Sequence, residues 1–167
     1  MASNDLSFYD ESKVPNAKNF KFGLVVSEWN EEITQGLFQG AFDAFMKHGV
    51  FGENIVRWNV PGSFELIYGC KKLSQTFEML DVIIAIGSVV QGETKHFDFV
   101  CDGVTQGIKD LNIQAEVPII YCVLTDNNIE QSKARSGGEK GNKGVEAAIA
   151  AIKMAQLRKD AHFYKGD

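Results

Sequence analysis

Four apolar stretches of strand length alternate with amphipathic stretches of helical period along the chain. The strands are predicted at FKFGLVVSEW (20–29), IVRWNVP (55–61), VIIAIGSVV (82–90) and VPIIYCVLT (117–125). Helical patterns are found near 31–48, 63–76 and 94–112, and in a final region of about 128–158. This alternation predicts an α/β fold with a parallel sheet and helices on both of its faces.

The predicted helices have recognisable ends and faces. Asn30 is a candidate N-cap of the first helix, and the apolar face of that helix is formed by Ile33, Leu37, Phe38, Ala41, Phe42 and Phe45. The third helix presents Phe97, Val100, Cys101, Val104, Ile108 and Leu111. SGGEKGNKG (136–144) places four glycines inside the final helical region, which predicts a kink there.

The two ends of the chain lack this periodicity. Residues 1–19 are polar and contain Pro15, so we predict an N-terminal arm outside the core that orders on a neighbour. We predict a single domain over 20–158 and a polar C-terminal tail over 159–167. With 167 residues and 44% hydrophobic content, the chain is long enough for one compact domain.

Composition narrows the class of protein. The formal net charge is −5 and Lys and Arg are scattered, which argues against a nucleic-acid partner. No apolar run approaches the roughly 20 residues that cross a bilayer, and no signal peptide is recognisable, so we expect a cytoplasmic protein. Cys70, Cys101 and Cys122 have no C-x-x-C spacing and are predicted to be buried, reduced thiols.

The richest candidate chemistry lies in GSVVQGETKHFDFV (87–100), where a buried strand enters a glycine-containing turn that opens a helix. Gly92 permits a sharp turn, and the amides of 92–95, the Thr94 hydroxyl and the helix dipole together suit a phosphate group. His96 follows directly and is able to transfer protons near neutral pH. Ligands of such sheets bind beyond the carboxyl ends of the strands, where Trp29, 61–65 and Thr125 also fall.

Several residues at this edge have two readings from local sequence. Ser63 is a candidate cap, and Glu65 either binds a hydroxyl or favours a helix N-terminus. Trp29 either stacks on a flat heterocycle or packs in the core, as Trp58 is expected to do. The basic, glycine-rich stretch that holds Arg135, Lys140 and Lys143 suits phosphate, but a solvated loop is favoured on local sequence alone. His48 and His162 are interpreted as structural or solvated, and no nucleotide-binding or metal motif is present.

Taken together, four motifs resemble those of the lumazine synthase family in order and spacing, from about residue 20 to residue 157. They are EWN (28–30), VPGSFE (60–65), GSVVQGETKHFDFV (87–100) and LTDNNIEQSKARSGGEKGNKGVEAA (124–148). The family condenses 5-amino-6-(D-ribitylamino)uracil with 3,4-dihydroxy-2-butanone 4-phosphate to 6,7-dimethyl-8-ribityllumazine. The resemblance implies a three-layer αβα, flavodoxin-like fold with a four-stranded parallel sheet, and a reaction without metal or organic cofactor.

The resemblance also implies roles for individual residues. His96 is the implied proton shuttle, and Tyr121 is implied to come from a neighbouring subunit. The implied pyrimidine and ribityl contacts are Trp29, Ser63, Phe64, Glu65, Ser88, Val89, Val90, Tyr121 and Lys143. The implied phosphate contacts are Gly92, Glu93, Thr94 and Arg135. Four positions differ from the residues that are most common in the family, namely Glu28, Trp29, Gln91 and Tyr121. The two aromatic changes retain a stacking surface.

The family assembles from pentamers, and the absence of an insertion in GGEKGN favours an icosahedral shell of about 60 subunits. Riboflavin synthase is a candidate partner, and no membrane or nucleic-acid partner is expected. Three alternatives to the enzyme stay open at this point. They are a riboflavin-binding or storage protein on the same scaffold, a structural cage, and a generic phosphate-ligand domain.

Overall fold

The computed structural model describes residues 7–76 and 79–165. The main sheet is formed by β1 (Phe22–Ser27), β2 (Ile55–Val60), β3 (Val82–Val90) and β4 (Ile119–Asp126). A small hairpin is formed by β5 (Ser136–Gly138) and β6 (Gly141–Asn142). The α-helices are α1 (Glu31–Lys47), α2 (Leu66–Thr76), α3 (His96–Gln114), α4 (Ile129–Arg135) and α5 (Lys143–Lys165).

The main sheet is parallel throughout and has the strand order β2-β1-β3-β4. Helices α1 and α5 cover one face, where their apolar side chains form a core with those of β1, β3 and β4. Helices α2 and α3 cover the other face and form a second core. The predicted fold class is therefore confirmed: the chain is a three-layer αβα protein with a flavodoxin-like, four-stranded parallel sheet.

Burial along the strands follows from this layering. Strand β1 lies between two neighbours and under helices on both faces, and all six of its residues are buried. Phe22 of β1 stacks on Phe45 of α1 with ring centroids 4.1 Å apart. Edge strand β2 is only partly covered by helices. Its Trp58, which was expected in the core, is half-buried and packs on the core beneath α2 and α3.

The final helical region differs from the prediction of one kinked helix. It consists of two helices, α4 and α5, separated by the β5–β6 hairpin. Gly137 has φ +120° and Gly141 has φ +81°, which are left-handed conformations that an α-helix does not contain. The glycines therefore reverse the chain instead of bending a helix. Helix α5 then continues past residue 158 to Lys165.

The apolar faces of α1 and α3 are narrower than predicted. In α1, Ile33, Leu37, Ala41 and Phe45 are buried, whereas Phe38 and Phe42 are half-buried. In α3, the buried residues are Val104, Ile108 and Leu111, whereas Phe97, Val100 and Cys101 are half-buried. The first turns of α3 lie at the open carboxyl edge of the sheet, where less of the helix is covered.

Residues 7–19 lie against the α1 and α5 side of the domain. Ala17 is fully buried, and Tyr9 and Val14 pack on the core. The Tyr9 hydroxyl lies 3.0 Å from His48 Nε2, and Lys47 pairs with Glu11. Residues 1–6 of the predicted arm and 166–167 of the predicted tail lie outside the described residues.

The three cysteines are free thiols, but they are not equally buried as predicted. Cys70 and Cys122 are fully buried, and burial raises the pKa of both, that of Cys122 to about 12. Cys101 is half-buried because it lies on the less covered part of α3. Within residues 7–76 and 79–165, no helix has the length and apolar content of a membrane span.

Candidate active site

The loops after the four parallel strands are tied together beyond the carboxyl edge of the sheet. The amide of Trp29 donates to Pro61 O at 3.1 Å and that of Glu28 to Val60 O at 2.8 Å, which joins the loops after β1 and β2. The amide of Gln91 donates to Asp126 O at 2.9 Å, which joins the end of β3 to the end of β4. The predicted convergence of the loops on one edge is therefore present.

The carbonyl oxygen of Ser88 is the central acceptor of this edge. It accepts from Asn30 Nδ2 at 3.1 Å and from Ser63 Oγ at 3.4 Å. Asn30 occupies the N-cap position of α1, as predicted, but neither its side chain nor that of Ser63 caps a helix, because both bind β3 instead. Asn30 has φ 57° and ψ 48°, the left-handed conformation that Asn tolerates, and α2 begins only at Leu66.

Ser88 also has a hydrogen-bonding group that the chain leaves unused. The residue is 3% exposed, and its Oγ has no hydrogen-bond partner among the described residues. A buried hydroxyl without a partner costs about 1–3 kcal/mol. Val89 and Val90, the next two residues, are half-buried, and Val89 packs on the core beneath α2 and α3.

Aromatic and acidic side chains stand open to solvent at the same edge. Trp29 is 72% exposed and Phe64 is 51% exposed, so Trp29 is not a core residue. A Cβ atom on Gly62 would lie 2.9 Å from Glu65 Oε2 and 3.6 Å from Trp29 Cδ1. The exposed Glu65 carboxylate and the indole ring therefore both lie beside Gly62, where a flat polar ligand has access to both.

The loop from Gln91 to Lys95 runs exposed into α3. Among the described residues, the backbone N–H groups of 92–95 make no hydrogen bond. The N–H of His96 donates to Thr94 Oγ1 at 3.3 Å, and the His96 side chain is exposed at the helix N-terminus. Free amides at the positive end of a 19-residue helix are well suited to an anion.

Gly92 differs from its predicted role in this loop. Its φ lies outside the left-handed region, so the turn itself does not require glycine. A Cβ atom at this position would have no heavy atom within 4 Å in the chain. The missing side chain therefore leaves the backbone open to solvent and to a ligand.

Arg135 is held at this edge by the buried carboxylate of Asp126, which was not predicted as a site residue from the sequence. Asp126 is 7% exposed, its Oδ2 accepts from Ser132 Oγ at 2.8 Å, and its Oδ1 lies 3.9 Å from Arg135 Nε. Arg135 Nη1 also donates to Gln131 O at 3.0 Å. The position of Asp126 at the end of an apolar strand was the signal available in the sequence.

Tyr121 lies apart from the loop that holds Trp29. Tyr121 pairs in register with Ala85, three residues before Leu124, which pairs with Ser88; this is a separation of roughly 10 Å along the strand. Its hydroxyl lies 3.1 Å from Thr105 Oγ1, and burial raises the pKa of Tyr121. Lys143 begins α5, and its Nζ donates to Glu146 Oε1 at 2.7 Å.

The arrangement thus offers an aromatic face, a carboxylate, an open amide loop, an imidazole and a guanidinium at one sheet edge. Such a set is able to bind a flat polar molecule and a phosphorylated one and to move a proton between them. Within the described parts of the chain, no group of three His, Cys, Asp or Glu side chains has the arrangement of a metal site.

Comparison with known proteins agrees with this chemistry. The model of the 6,7-dimethyl-8-ribityllumazine synthase family matches residues 19–159. A 6,7-dimethyl-8-ribityllumazine synthase from Christiangramia forsetii is 78% identical over 98% of this chain and 97% of its own length. Those from Flavobacterium johnsoniae and Parabacteroides distasonis are 64% and 52% identical, over 95% and 93% of this chain and 83% and 97% of their own lengths. The chain therefore belongs to the 6,7-dimethyl-8-ribityllumazine synthase family.

Proposed function

We propose that this protein is a transferase of riboflavin biosynthesis that makes 6,7-dimethyl-8-ribityllumazine. Its substrates are 5-amino-6-(D-ribitylamino)uracil and 3,4-dihydroxy-2-butanone 4-phosphate, and phosphate and water are released. Family membership over nearly the whole chain supports this reaction. The structural observation that carries the proposal is the open loop 92–95, whose free amides lie directly before the exposed His96.

The ribitylaminouracil is proposed to bind where the loops after β1, β2 and β3 meet. The exposed indole of Trp29 stacks on the pyrimidine ring, and the Glu65 carboxylate beside it accepts hydrogen bonds from ribityl hydroxyls. Ser63 and Phe64 complete the ribityl contacts. Ser88, Val89 and Val90 line the pyrimidine pocket, and Lys143 stands near the pyrimidine edge.

The butanone phosphate is proposed to bind with its phosphate at the loop before α3. Gly92, Glu93 and Thr94 contribute backbone amides and a hydroxyl, because these groups are free or exposed in the chain. Arg135 adds a guanidinium, whose fork matches the geometry of phosphate oxygens. Asp126 ties Arg135 to the start of the same loop through the amide of Gln91.

The chemistry is a condensation followed by an elimination. The substrate amine attacks the ketone carbon, and the carbinolamine loses water to give an imine. The adjacent carbon then loses a proton as the C–O bond to phosphate breaks, which leaves an enol. The keto form of this enol is attacked by the ribityl-bearing nitrogen, and loss of a second water closes the ring. His96 takes the proton from the attacking amine and returns it to the leaving oxygen. Most of the rate enhancement comes from holding the two reactants together, and no step needs a metal or organic cofactor.

The complete site is proposed to need a second copy of the chain. Tyr121 lies on edge strand β4, away from the loop that holds Trp29 of its own chain, so its ring is available to the site of a neighbour. We propose pentamers assembled into an icosahedral shell in the cytoplasm, where free thiols persist. Riboflavin synthase, which consumes the product, is the proposed enzyme partner.

The test is an absorbance assay for lumazine formation with both purified substrates. Wild type is compared with His96→Ala and Arg135→Ala, and His162→Ala and Arg57→Ala are matched controls at exposed positions. We expect His96→Ala to lower kcat about 10²-fold without abolishing turnover. Arg135→Ala is expected to raise the KM of the phosphate substrate about ten-fold, because it removes a charge-assisted contact.

The controls should keep wild-type rates, since their side chains lie outside the proposed site. A folded wild-type oligomer that forms lumazine only at the uncatalysed rate would refute the synthase. Tight riboflavin binding by the same preparation would then identify a storage protein on this scaffold.

A further inference from the structure

We propose that Asn142 is a positioning residue of the active site. It locks the β5–β6 hairpin onto α1 and thereby holds Arg135 and Lys143, the two cations at the ends of the hairpin. The roles of those cations rest on the proposed function. The docking of the hairpin on α1 depends only on contacts within the chain.

The first observation is the set of hydrogen bonds that Asn142 makes. Its Nδ2 donates to the carbonyl oxygen of Gly36 in α1 at 2.9 Å. Its Oδ1 accepts from the backbone N–H of Gly144 in α5 at 2.8 Å. Its backbone N–H donates to Ser7 Oγ at 2.8 Å. One residue of the hairpin therefore joins α1, α5 and the N-terminal segment.

The second observation is a groove on α1 that only glycines leave open. A Cβ atom on Gly36 would lie 2.5 Å from the carbonyl oxygen of Ser136, the first residue of the hairpin. A Cβ atom on Gly40, one turn further along α1, would overlap the amide group of Asn142. Since α1 is a helix and glycine lowers helix stability, two glycines on one face indicate a required close approach.

The hydrogen bonds of Asn142 affect the positions of the two cations because these cations flank the hairpin. Arg135 directly precedes Ser136, Lys143 directly follows Asn142, and Ser136 and Asn142 are paired across the hairpin. Helix α1 begins immediately after Trp29 and Asn30, so docking the hairpin on α1 fixes the cations relative to the aromatic loop. The side chain of Lys143 bonds to Glu146, one turn further along the same helix, so its placement depends on where α5 begins.

Two routes break the lock without touching either cation. Asn142→Ala removes both side-chain hydrogen bonds, and Gly40→Ala pushes a methyl group into the space of the Asn142 amide. Asn142→Asp keeps the acceptor for Gly144 but loses the donor to Gly36. Gln156→Ala is the matched control, because Gln156 is a half-buried residue of α5 whose amide, among the described residues, bonds to Asp160 alone.

The assay measures kcat, the KM of each substrate, and the Tm of each purified oligomer. We expect Asn142→Ala and Gly40→Ala each to raise the KM of the butanone phosphate about ten-fold, while kcat changes less than about two-fold. The double variant should be no worse than Asn142→Ala alone, because the alanine at 142 leaves room for the methyl group at 40. Gln156→Ala should be indistinguishable from wild type.

A merely structural role would lower Tm and active fraction and leave KM unchanged, and that result in Asn142→Ala would overturn the proposal. Effects that multiply in the double variant would do the same. If Asn142→Ala does not fold, Asn142→Asp carries the test. If wild type forms no lumazine, the proposed function fails separately. The role of Asn142 is then tested by calorimetric titration with inorganic phosphate, for which Asn142→Ala is expected to have about ten-fold lower affinity than wild type.

Discussion

Gly92 occupies a position where the fold of the chain has no need for a glycine. Its backbone conformation suits any residue, and a side chain would enter open space. Gly36, in contrast, has a visible structural reason, because a Cβ there would crowd Ser136 O. At Gly92 the open backbone lies at the start of a loop whose amides are free, so a side chain here would meet an approaching anion rather than the fold.

Substitution of this residue separates folding from phosphate binding. We expect Gly92→Ala to change the free energy of unfolding by less than about 0.5 kcal/mol. The methyl group should nevertheless weaken binding of inorganic phosphate about ten-fold, because it blocks close approach to the amides. Urea denaturation and isothermal titration measure the two quantities.

Gly52→Ala is the matched control, since a Cβ there also meets nothing within 4 Å and Gly52 lies outside the loop. It should leave both stability and phosphate affinity near wild type. Equal phosphate affinity in Gly92→Ala and wild type would show that the phosphate does not lie against this residue.

At the scale of single residues, the sequence predicted which side chains lie near the sheet edge better than what they contact. His96 and Gly92 follow directly from a strand-to-turn-to-helix pattern. Asn30 was predicted as a cap and does stand at the N-cap position, but its side chain binds Ser88 O in a partner strand that is distant in sequence. Local propensity contains no information about that tertiary acceptor, and the same limit applies to Asp126 and Arg135.

At the scale of elements, four strands and three helices were predicted close to their observed bounds because their apolar periods are long and regular. The β5–β6 hairpin was not predicted, since it contains only five strand residues and its chain reversal depends on two left-handed glycines. Glycines in a polar segment reveal that a helix is disturbed, but the direction in which the chain turns depends on what it packs against. Here the α1 groove supplies that contact.

The contact between the N-terminal segment and the end of α1 contains a titratable group. Burial, followed by the charge of Lys47, lowers the pKa of His48 from its usual 6.5, and Glu11 opposes this shift. Tyr9 faces the imidazole as a hydrogen-bonding partner. Because the folded chain favours neutral His48, it binds fewer protons than the unfolded chain once the pH falls below about 6.5.

The contribution of His48 to stability is therefore complete above its unfolded pKa and is lost as the pH falls through its folded pKa. We expect the urea midpoint of wild type to fall between about pH 7.5 and 5.5 more steeply than that of His48→Gln. His162→Gln, at an exposed position of α5, should keep the wild-type slope. Parallel pH profiles for wild type and His48→Gln would refute this linkage.

At the scale of the whole molecule, several large apolar side chains of α2 and α3 are exposed. Tyr68 of α2 is 66% exposed, and Phe99 and Ile113 of α3 are 72% and 76% exposed. In the oligomer proposed above, these side chains are the ones expected to contact further copies. Tyr121 on the β4 edge is half-buried against the α2 and α3 core, and its hydroxyl lies 3.1 Å from Thr105 Oγ1 of α3.

If the active site is shared between copies, two variants with different defects should complement each other in a mixed oligomer. If Tyr121 of one subunit completes the site built around His96 of the next, then a mixed oligomer of His96→Ala and Tyr121→Ala subunits contains some sites with both native residues. Random mixing at equal amounts should restore about a quarter of the wild-type sites, since each site draws one half from each of two subunits. The measurement is lumazine formation after the two variants are unfolded together and refolded, at substrate concentrations well below the KM of wild type. Each variant refolded alone is the control, and its residual rate is subtracted. If His96 and Tyr121 instead act within one chain, every site lacks one of them, and the mixture shows only the average of the two residual rates.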